Sequence, residues 1–393
     1  MKNKFILFLI LLIIFEWMRV YFIMPMPGSQ KINSIDIAYG LHSIRWVIRI
    51  VLFIAMMLFV KESWNGGKLS TIVGSVILIA SIYMTNFPMS ADTMFKKMLE
   101  QNFASKAGNL IDTNRLIIGV IIGNEARAYP INIIAHHHQV KDKINGKDVL
   151  VTYCSVCRTG RVYNPTIDGK ISDFRLVGMD HFNAMFEDPE TKSWWRQVNG
   201  ECIAGELKGK KLEEIECFQT TLKTWLSLYP NSLILQEDVQ FQNEYKDLVK
   251  FDHGSSKSTL TGRDKNPKSF KSWVVWVKHQ NQVVSEDWSV IEAKGYTIKN
   301  IGNTKCLIIS NDQQSLFAFD LNPLLKKISP QHVSSVKIEL TYFEIITNSG
   351  NTYQYNYLGN GINTSDSNIQ LPQIQCMQEF HHSYQHFQSF NNK

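Results

Sequence analysis

Closely spaced cysteines are scarce in this sequence. Six cysteines stand among 393 residues, and only Cys154 and Cys157 form a close pair. The sequence therefore does not predict a dense disulfide framework, and a domain of this size can bury a core without one. A zinc ribbon needs a second Cys-x-x-Cys, which is absent. The βαβ pattern that surrounds the pair in thioredoxin-like enzymes is absent too.

A dense stripe of basic residues is also lacking. The 41 lysines and arginines exceed the 35 acidic residues by a formal charge of +6, without forming a basic cluster. The composition therefore gives no support for a nucleic-acid partner. A basic face near an anionic membrane would fit the same small excess.

Long apolar runs are confined to the first part of the chain. Residues 5–24, 44–60 and 71–87 are each long enough to cover roughly the 30 Å of a bilayer core. We predict a transmembrane module of three helices over residues 1–87, with the lipid bilayer as partner. No small-x-small cleavage site follows the first run, so we expect an uncleaved helix and not a signal peptide. Glu16 and Arg19 are three residues apart in that helix and can neutralise one another.

The short loops predict the orientation of this module. Lys2 and Lys4 favour a cytoplasmic N-terminus, and the basic loop Lys61 to Lys68 then lies on the same side. Three spans would place everything after Phe87 outside the cytoplasm. The sequence therefore predicts an integral membrane protein with an extracytoplasmic domain.

Beyond a linker at residues 88–106, residues 107–393 read as a β-rich α+β globular domain. Strands are predicted at Leu116–Ile122, Ala126–Ile131 and Val149–Tyr153, and a helix at Leu222–Tyr229. A weak internal repeat relates residues 117–154 to residues 274–311. It predicts two pseudo-repeated lobes, of which only the first keeps the cysteine pair. The second has Asn311 and Gln314 near those places.

The strongest chemical signal is the sequence TYCSVCRTG around Cys154 and Cys157. Two sulfurs in such a turn can share a soft metal ion or form a disulfide, and Arg158 beside them would favour a thiolate. His137 and His138 precede the strand that delivers the cysteines, and a hairpin would return them beside the pair. We therefore predict a metal site of Cys154, Cys157, His137 and His138, for a transition metal such as zinc or copper, or else a thiol-redox site.

A second group of residues suggests a ligand cleft for a small molecule or a protein. Its members are polar or aromatic and cluster in sequence after the cysteine turn: Arg158, Asp180, His181, Trp194, Trp195, Arg196 and Gln197. The alternative function is accordingly a non-catalytic binding module in which the cysteines only pin a turn. A hydrolase using Asp180 and His181 lacks a matching nucleophile.

The C-terminal segment carries an aromatic stripe and a histidine pair. Phe380, Tyr384 and Phe387 share one helical face, which predicts packing against the domain. His382 and His386 are four residues apart on another face, and we predict that they are solvated.

Several ordered pieces of the chain resemble one family. They include Asn124 to Pro130, Thr152 to Cys157, Asp188 to Gln197 and Gly262 to Pro267. Together they resemble the domain of unknown function 3179 family over most of the chain after about Leu110. The resemblance implies an extracytoplasmic or membrane-tethered domain and no established reaction. The family's turn commonly reads Cys-Pro-Leu-Cys-Gly, from which Cys154 to Arg158 departs, and His138 replaces a usually acidic residue.

Overall fold

The computed structural model describes residues 3–280, 282–329, 332–362 and 368–388. The chain divides into two compact units. The first unit contains Met1–Lys96 and Ser172–Lys211, and the second contains Lys97–Ile171 and Leu212–Lys393. The segment Ser172–Lys211 thus belongs with the N-terminal helices, although it lies far along the chain.

The α-helices of the described residues are, in chain order, α1 Asn3–Tyr21, α2 Ile35–Ser43, α3 Arg45–Met57, α4 Val60–Gly66, α5 Lys68–Asn86, α6 Ala91–Met94, α7 Ile131–His137, α8 Leu222–Leu228, α9 Gln242–Leu248, α10 Trp288–Lys294, α11 Asn322–Ile328 and α12 His381–Phe387.

The β-strands of the same residues are β1 Phe103–Ala104, β2 Leu116–Ile122, β3 Glu125–Pro130, β4 Gln139–Ile144, β5 Lys147–Cys154, β6 Thr159–Tyr163, β7 Thr166–Ile167, β8 Lys170–Ile171, β9 Arg175–Asp180, β10 Asn183–Glu187, β11 Trp194–Arg196, β12 Cys202–Ala204, β13 Glu214–Ile215, β14 Cys217–Thr221, β15 Leu233–Leu235, β16 Trp273–His279, β17 Gln282–Asp287, β18 Tyr296–Ile301, β19 Thr304–Ile309, β20 Phe317–Asp320, β21 Val333–Ile338, β22 Tyr342–Thr347, β23 Thr352–Asn356, β24 Gly361–Ile362 and β25 Gln375–Phe380.

Helices α1, α3 and α5 of the first unit meet at the carboxylate of Glu16. This fully buried group accepts hydrogen bonds from Arg49 at 2.6 and 2.8 Å and from Arg19 at 3.4 Å. Asn86, at the end of α5, accepts from both arginines at 2.8 and 2.7 Å. The predicted pairing of Glu16 with Arg19 is confirmed. The closer bond to Arg49 also links α1 to α3, since a buried carboxylate needs charge-assisted partners.

The apolar character of the N-terminal helices is uneven. Among the described residues, α5 is long and apolar enough to cross a membrane, and α2 and α3, bent by 59°, would count as a second span if they act as one. This is fewer than the three spans predicted. The difference lies in α1, whose 19 residues carry the charges of Lys4, Glu16 and Arg19.

The first unit also contains a four-stranded antiparallel sheet of order β12-β11-β10-β9. Helix α2 packs on this sheet: the Tyr39 ring lies edge-on to Trp194 with centroids 5.1 Å apart. Nearby, His42 Nε2 is 3.5 Å from Glu187 Oε2. The chain between α1 and α3 therefore shares a core with the strands of Ser172–Lys211.

In the second unit, two sets of elements repeat the same order. The set β2-β3-α7-β4-β5-β6 recurs as β16-β17-α10-β18-β19-β20. Corresponding elements begin at a nearly constant spacing, as Leu116 with Trp273 and Ile131 with Trp288 show. Both helices end in the left-handed conformation, at His138 (φ 62°) and Gly295 (φ 77°). The predicted repeat is therefore confirmed as a repeat of element order.

The repeat extends further than the sequence comparison reached. Strand β14 pairs with β2 and is followed by α8, while β25 pairs with β16 and is followed by α12. The registers correspond, because Cys217 faces Val120 and Cys376 faces Val277. We call β2–β6 with β14 and α8 the first repeat, and β16–β20 with β25 and α12 the second repeat. A further antiparallel sheet, β21-β22-β23-β24, completes the second unit.

Each repeat places its last turn against the first residues of the other repeat's final helix. In the turn after β19, the Asp312 carboxylate accepts hydrogen bonds from the hydroxyls of Thr221 at 2.7 Å, Thr224 at 3.1 Å and Ser315 at 2.8 Å. In the turn after β5, the Cys157 carbonyl accepts from the Phe380 amide at 2.9 Å. These two turns are where the repeats differ most in chemistry.

Replacing Asp312 with alanine tests whether its turn holds the repeats together. We expect the free energy of unfolding to fall by about 2–4 kcal/mol, because three hydroxyl donors lose a charged acceptor. Urea denaturation of the full chain in detergent, followed by tryptophan fluorescence, measures the change. Asp112→Ala is the control, since that exposed carboxylate bonds, within the described part of the chain, to Asn114 alone. Equal effects from both substitutions would contradict this role.

Candidate thiol site

The β5–β6 hairpin positions the two cysteines. Cys154 is the last residue of β5 and faces Thr159 of β6, so Cys157 falls within the connecting turn. Arg158 completes that turn in the left-handed conformation, with φ of 56°. Both sulfurs are fully buried and neither is in a disulfide. The two thiols are hydrogen-bonded to one another.

A lysine and a histidine close the turn from the second repeat. The Lys271 ammonium donates a hydrogen bond of 2.6 Å to the Val156 carbonyl, which lies between the two cysteines in sequence. The His382 Nε2 atom is 3.3 Å from both Lys271 Nζ and the Val156 oxygen. We call Cys154, Cys157, Lys271, His382 and Ser383 the thiol site.

The imidazole of His382 is held between two phenylalanines. Its ring stacks on Phe270 at 4.3 Å and lies parallel to Phe380 at 6.0 Å. Burial and the Lys271 charge lower the pKa of His382 to about 3, so the ring is neutral. The prediction that His382 is solvated was wrong, because the rings of Phe270 and Phe380 enclose it. Phe270 is 50% exposed and forms the outer face of this stack.

The electrostatics of the thiol site set the protonation of its members. Burial and the neighbouring Cys154 thiol raise the pKa of Cys157 well above its usual value, while the Lys271 charge and the Ser383 hydroxyl lower it. Burial lowers the pKa of Lys271 to about 8, although nearby thiolates oppose this shift. An uncharged thiol and a mostly charged amine therefore coexist near neutral pH.

The two predicted histidine ligands belong to a different environment. His137 Nε2 lies 2.6 Å from the Tyr245 hydroxyl, and its ring packs edge-on to Phe241. His138 is buried where α7 ends, and burial lowers its pKa to about 4. In the residues that the structure describes, no group of three or more His, Cys, Asp or Glu side chains could hold a metal ion. The predicted ligand set of Cys154, Cys157, His137 and His138 is therefore not formed. The hairpin brings the His138 backbone, and not an imidazole, back to the cysteine strand, since the Tyr153 amide donates a hydrogen bond of 3.1 Å to the His138 carbonyl.

Arg158 has a structural position that the sequence did not reveal. Its guanidinium donates to the Gln378 side chain and to the Phe251 carbonyl, each at 2.6 Å. It also lies over the Trp273 ring, 3.7 Å from the centroid. The positive charge that lowers the pKa of Cys157 is that of Lys271, so Lys271 has the influence that was predicted for Arg158.

Asp180, His181 and Arg196 come together in the first unit. His181 Nδ1 is 2.6 Å from Asp180 Oδ1, and Arg196 reaches Asp180 Oδ2 at 2.6 Å and Glu201 at 2.8 Å. These residues line a pocket of about 340 Å³ together with Lys208. His181 and Phe182 both have positive φ, 48° and 68°, in the turn between β9 and β10. Non-glycine residues in that conformation are strained, so this turn persists only because the surrounding structure holds it.

The tryptophans and Gln197 do not line that pocket. Trp194 and Trp195 are buried, and their indole nitrogens donate to Glu187 at 3.0 Å and to Asp188 at 3.1 Å. Gln197 is also buried and accepts from Asn183 at 3.0 Å. The predicted tryptophan-lined cleft was therefore wrong. Neighbouring residues of β11 point to opposite faces of the sheet, and both faces are covered within the first unit: Trp194 packs against Tyr39 and Trp195 against Phe174.

Three members of the thiol site were missed from the sequence: Lys271, His382 and Ser383. A signal for them was present in the second half of the repeat. The spacing of Cys217 and Gln219 recurs in Cys376 and Gln378, and this match would have identified the start of α12 as the counterpart of α8. The helix start facing the cysteine turn could then have been predicted.

The fold and the thiol site define a two-repeat β-rich domain, joined in one chain to an N-terminal helical region. A family model described as "Protein of unknown function (DUF3179)" matches residues 92–391, and the chain belongs to this family. Comparisons with curated proteins and with solved structures gave no match. The matched residues contribute to both compact units, since they include Ser172–Lys211.

Replacing Lys271 with methionine tests its influence on the thiols. We expect alkylation of Cys157 by iodoacetamide at pH 7.5 to slow by about tenfold, because loss of a nearby positive charge raises a thiol pKa by about one unit or more. Mass spectrometry of the peptide containing both cysteines gives the rate across a pH series. Lys265→Met, at an exposed lysine that precedes the site, is the control. An unchanged pH midpoint in Lys271→Met would contradict the assignment.

Proposed function

We propose that this protein is a membrane-anchored thiol–disulfide redox domain in which Cys154 and Cys157 cycle between a dithiol and a disulfide. The proposal rests on one contact: the buried amine of Lys271 donates a hydrogen bond to the Val156 carbonyl, which lies in sequence between the two hydrogen-bonded thiols. Such a cation stabilises the thiolate that attacks a disulfide, and the thiolate is the nucleophile in this chemistry.

The second repeat supports the proposal of a redox function. At the corresponding turn, Asn311, Asp312 and Ser315 form hydrogen bonds with the start of α8. A turn at this place in the fold can therefore be held by ordinary polar contacts. The thiols, the amine and the imidazole of the first turn are not required by the architecture, which favours a chemical role for them.

The reaction is a balanced transfer of two electrons. One cysteine sulfur attacks a disulfide substrate, RSSR, to form a mixed disulfide and release the first RS⁻. The second cysteine sulfur then attacks its neighbour and releases the other RS⁻. The two protons lost by Cys154 and Cys157 end on two RSH products. The Lys271 ammonium stabilises the developing thiolate, and the neutral His382 fixes the amine through its position beside the Val156 carbonyl.

Differential alkylation of the full chain in detergent tests the proposal. We expect a small neutral disulfide, hydroxyethyl disulfide, to convert Cys154 and Cys157 together into a disulfide that dithiothreitol reverses. Cys154→Ser and Cys157→Ser should each abolish this disulfide. Cys306→Ser should leave it intact, because that buried cysteine lies outside the thiol site.

Two outcomes would overturn the redox proposal. If both thiols can still be alkylated after prolonged oxidation, they form no disulfide and the cysteine turn is only structural. That is the result expected of the alternative binding module. Stoichiometric zinc or copper in the wild-type protein, lost in both serine variants, would instead favour the metal-binding hypothesis. Elemental analysis of the same preparations separates these cases.

We also propose that the N-terminal helices anchor the domain with three spans and place it outside the cytoplasm. The Glu16 carboxylate of α1 pairs with Arg19 of the same helix and with Arg49 of α3, which lowers the cost of inserting these charges. The chain between α1 and α3 packs with Ser172–Lys211, so both lie on the same side of the membrane. If α1, α3 and α5 each cross the membrane, the chain between α1 and α3 and the residues after α5 lie on one side, and α4 lies on the other.

Substituted-cysteine labelling tests this topology. In intact cells, a membrane-impermeant maleimide should label Lys31→Cys and Lys170→Cys but not Asn65→Cys, because only the last lies in the opposite loop. All three positions are exposed. Permeabilised cells provide the control, in which all three should react. Labelling of Asn65→Cys in intact cells would contradict the orientation.

A further inference from the structure

A buried carboxylate lies beside the thiol site and is not used by the reaction as described so far. Glu379 is the penultimate residue of β25, and its side chain is fully buried. Arg161 of β6 approaches one of its oxygens at 3.4 Å. Within the described residues, its other oxygen, Oε1, has no hydrogen-bond partner. A buried carboxylate that is only partly paired tends to hold a proton.

The charge on Arg161 is shared between two carboxylates. Arg161 also faces Glu214 of β13 at 3.7 Å, and Lys278 of β16 binds Glu214 at 2.8 Å. Cys217 of β14 lies beside these groups, and burial raises its pKa to about 12, so it stays neutral. Glu379 thus receives only part of one positive charge. Burial raises the pKa of Glu379 to about 7, against the opposing effect of Arg161.

Ser383 connects this carboxylate with the thiols. It lies in the first turn of α12, is fully buried, and its hydroxyl is close enough to lower the pKa of both Cys157 and Glu379. Among the described residues the hydroxyl meets hydrogen-bond geometry with neither group. A serine hydroxyl is both donor and acceptor and rotates about its Cβ–Oγ bond. It can therefore take a proton on one side and give one on the other.

We propose that Glu379 is the proton acceptor for Cys157, with Ser383 as the relay between them. This inference rests on the proposed redox function. In the second step, the Cys157 thiol passes its proton to the Ser383 oxygen while the Ser383 hydroxyl proton moves to Glu379. The Cys157 sulfur then forms the bond to Cys154, and the substrate sulfur leaves as RS⁻. The proton on Glu379 returns to solvent or product when the site resets.

The sign of the pH dependence follows from the state of Glu379. Only the ionised carboxylate can accept a proton, so ring closure should accelerate as the pH rises through about 7. Below that pH, Glu379 is already protonated and Cys157 keeps its own proton. Lys271 acts on the thiolate by its charge and does not supply this base.

The test measures the rate of closure of the Cys154–Cys157 disulfide in the full chain, with hydroxyethyl disulfide as oxidant, between pH 5.5 and 9. In Glu379→Gln we expect the rate at pH 7 to fall by about 10-fold or more, and the inflection near pH 7 to disappear. Ser383→Ala should lower the rate and weaken that inflection as well, because Cys157 then has no hydroxyl through which to pass its proton to Glu379. Glu214→Gln is the matched control: it removes the other carboxylate that contacts Arg161 and should keep the inflection but move it to lower pH, because Arg161 then acts on Glu379 alone.

The outcomes separate this relay from the redox function itself. If the wild type forms no disulfide, the redox proposal fails. If it does, and Glu379→Gln keeps the wild-type profile, only the relay is overturned. A merely structural role for Glu379 would lower stability without moving the inflection, and urea denaturation of both glutamine variants measures stability independently. Equal loss of the inflection in Glu214→Gln would also overturn the specific role of Glu379.

Discussion

The hydrogen bond of 2.6 Å from the Lys271 ammonium to the Val156 carbonyl is the contact on which the thiol site depends. A buried ammonium is costly unless it is paired, and here the partners are a carbonyl and the π faces of Phe270 and Phe380. These partners hold the amine at the centre of the cysteine turn without neutralising it. The charge is therefore available to a thiolate when one forms.

Repetition of one architectural unit explains how such a site arises. Each repeat ends in a strand and a helix that meet the last turn of the other repeat, so the fold contains two equivalent places. One place is held by Asp312 and its hydroxyl donors. The other contains thiols, an amine and an imidazole within a buried, low-dielectric environment, where charges act more strongly on one another.

Much of this fold could be predicted from the sequence, and much of the site could not. An apolar run followed by turn residues located β2 at Leu116–Ile122, and the repeat located two matching sets of elements. The cysteine turn was found because its two members are neighbours in sequence. Lys271 and His382 lie more than a hundred residues away, and only the pairing of β25 with β16 brings them near the turn.

The wrong predictions have the same physical origin. His137 and His138 are close in sequence to the cysteine strand, yet α7 turns the first toward Tyr245 and leaves the second buried at its end. Trp194 and Trp195 looked like ligand-binding residues because of their chemistry, but the sheet of the first unit uses them as core. Sequence proximity and residue type did not determine which way these side chains point.

The N-terminal helices follow a similar logic on a smaller scale. Charges that lower the apolar character of α1 are the ones that join α1 to α3 and α5, through Glu16. A charged residue in an apolar helix thus signals a helix–helix contact as readily as it signals the end of a span.

A crystal structure of the protein in reduced and in oxidised form tests the central claim most directly. The account predicts two thiols in contact beside Lys271 in the reduced crystal, and a sulfur–sulfur bond of about 2.0 Å between Cys154 and Cys157 in the oxidised one, with β5 and β6 in place. Sulfurs that point apart in both crystals, or a metal ion held between them, would contradict it.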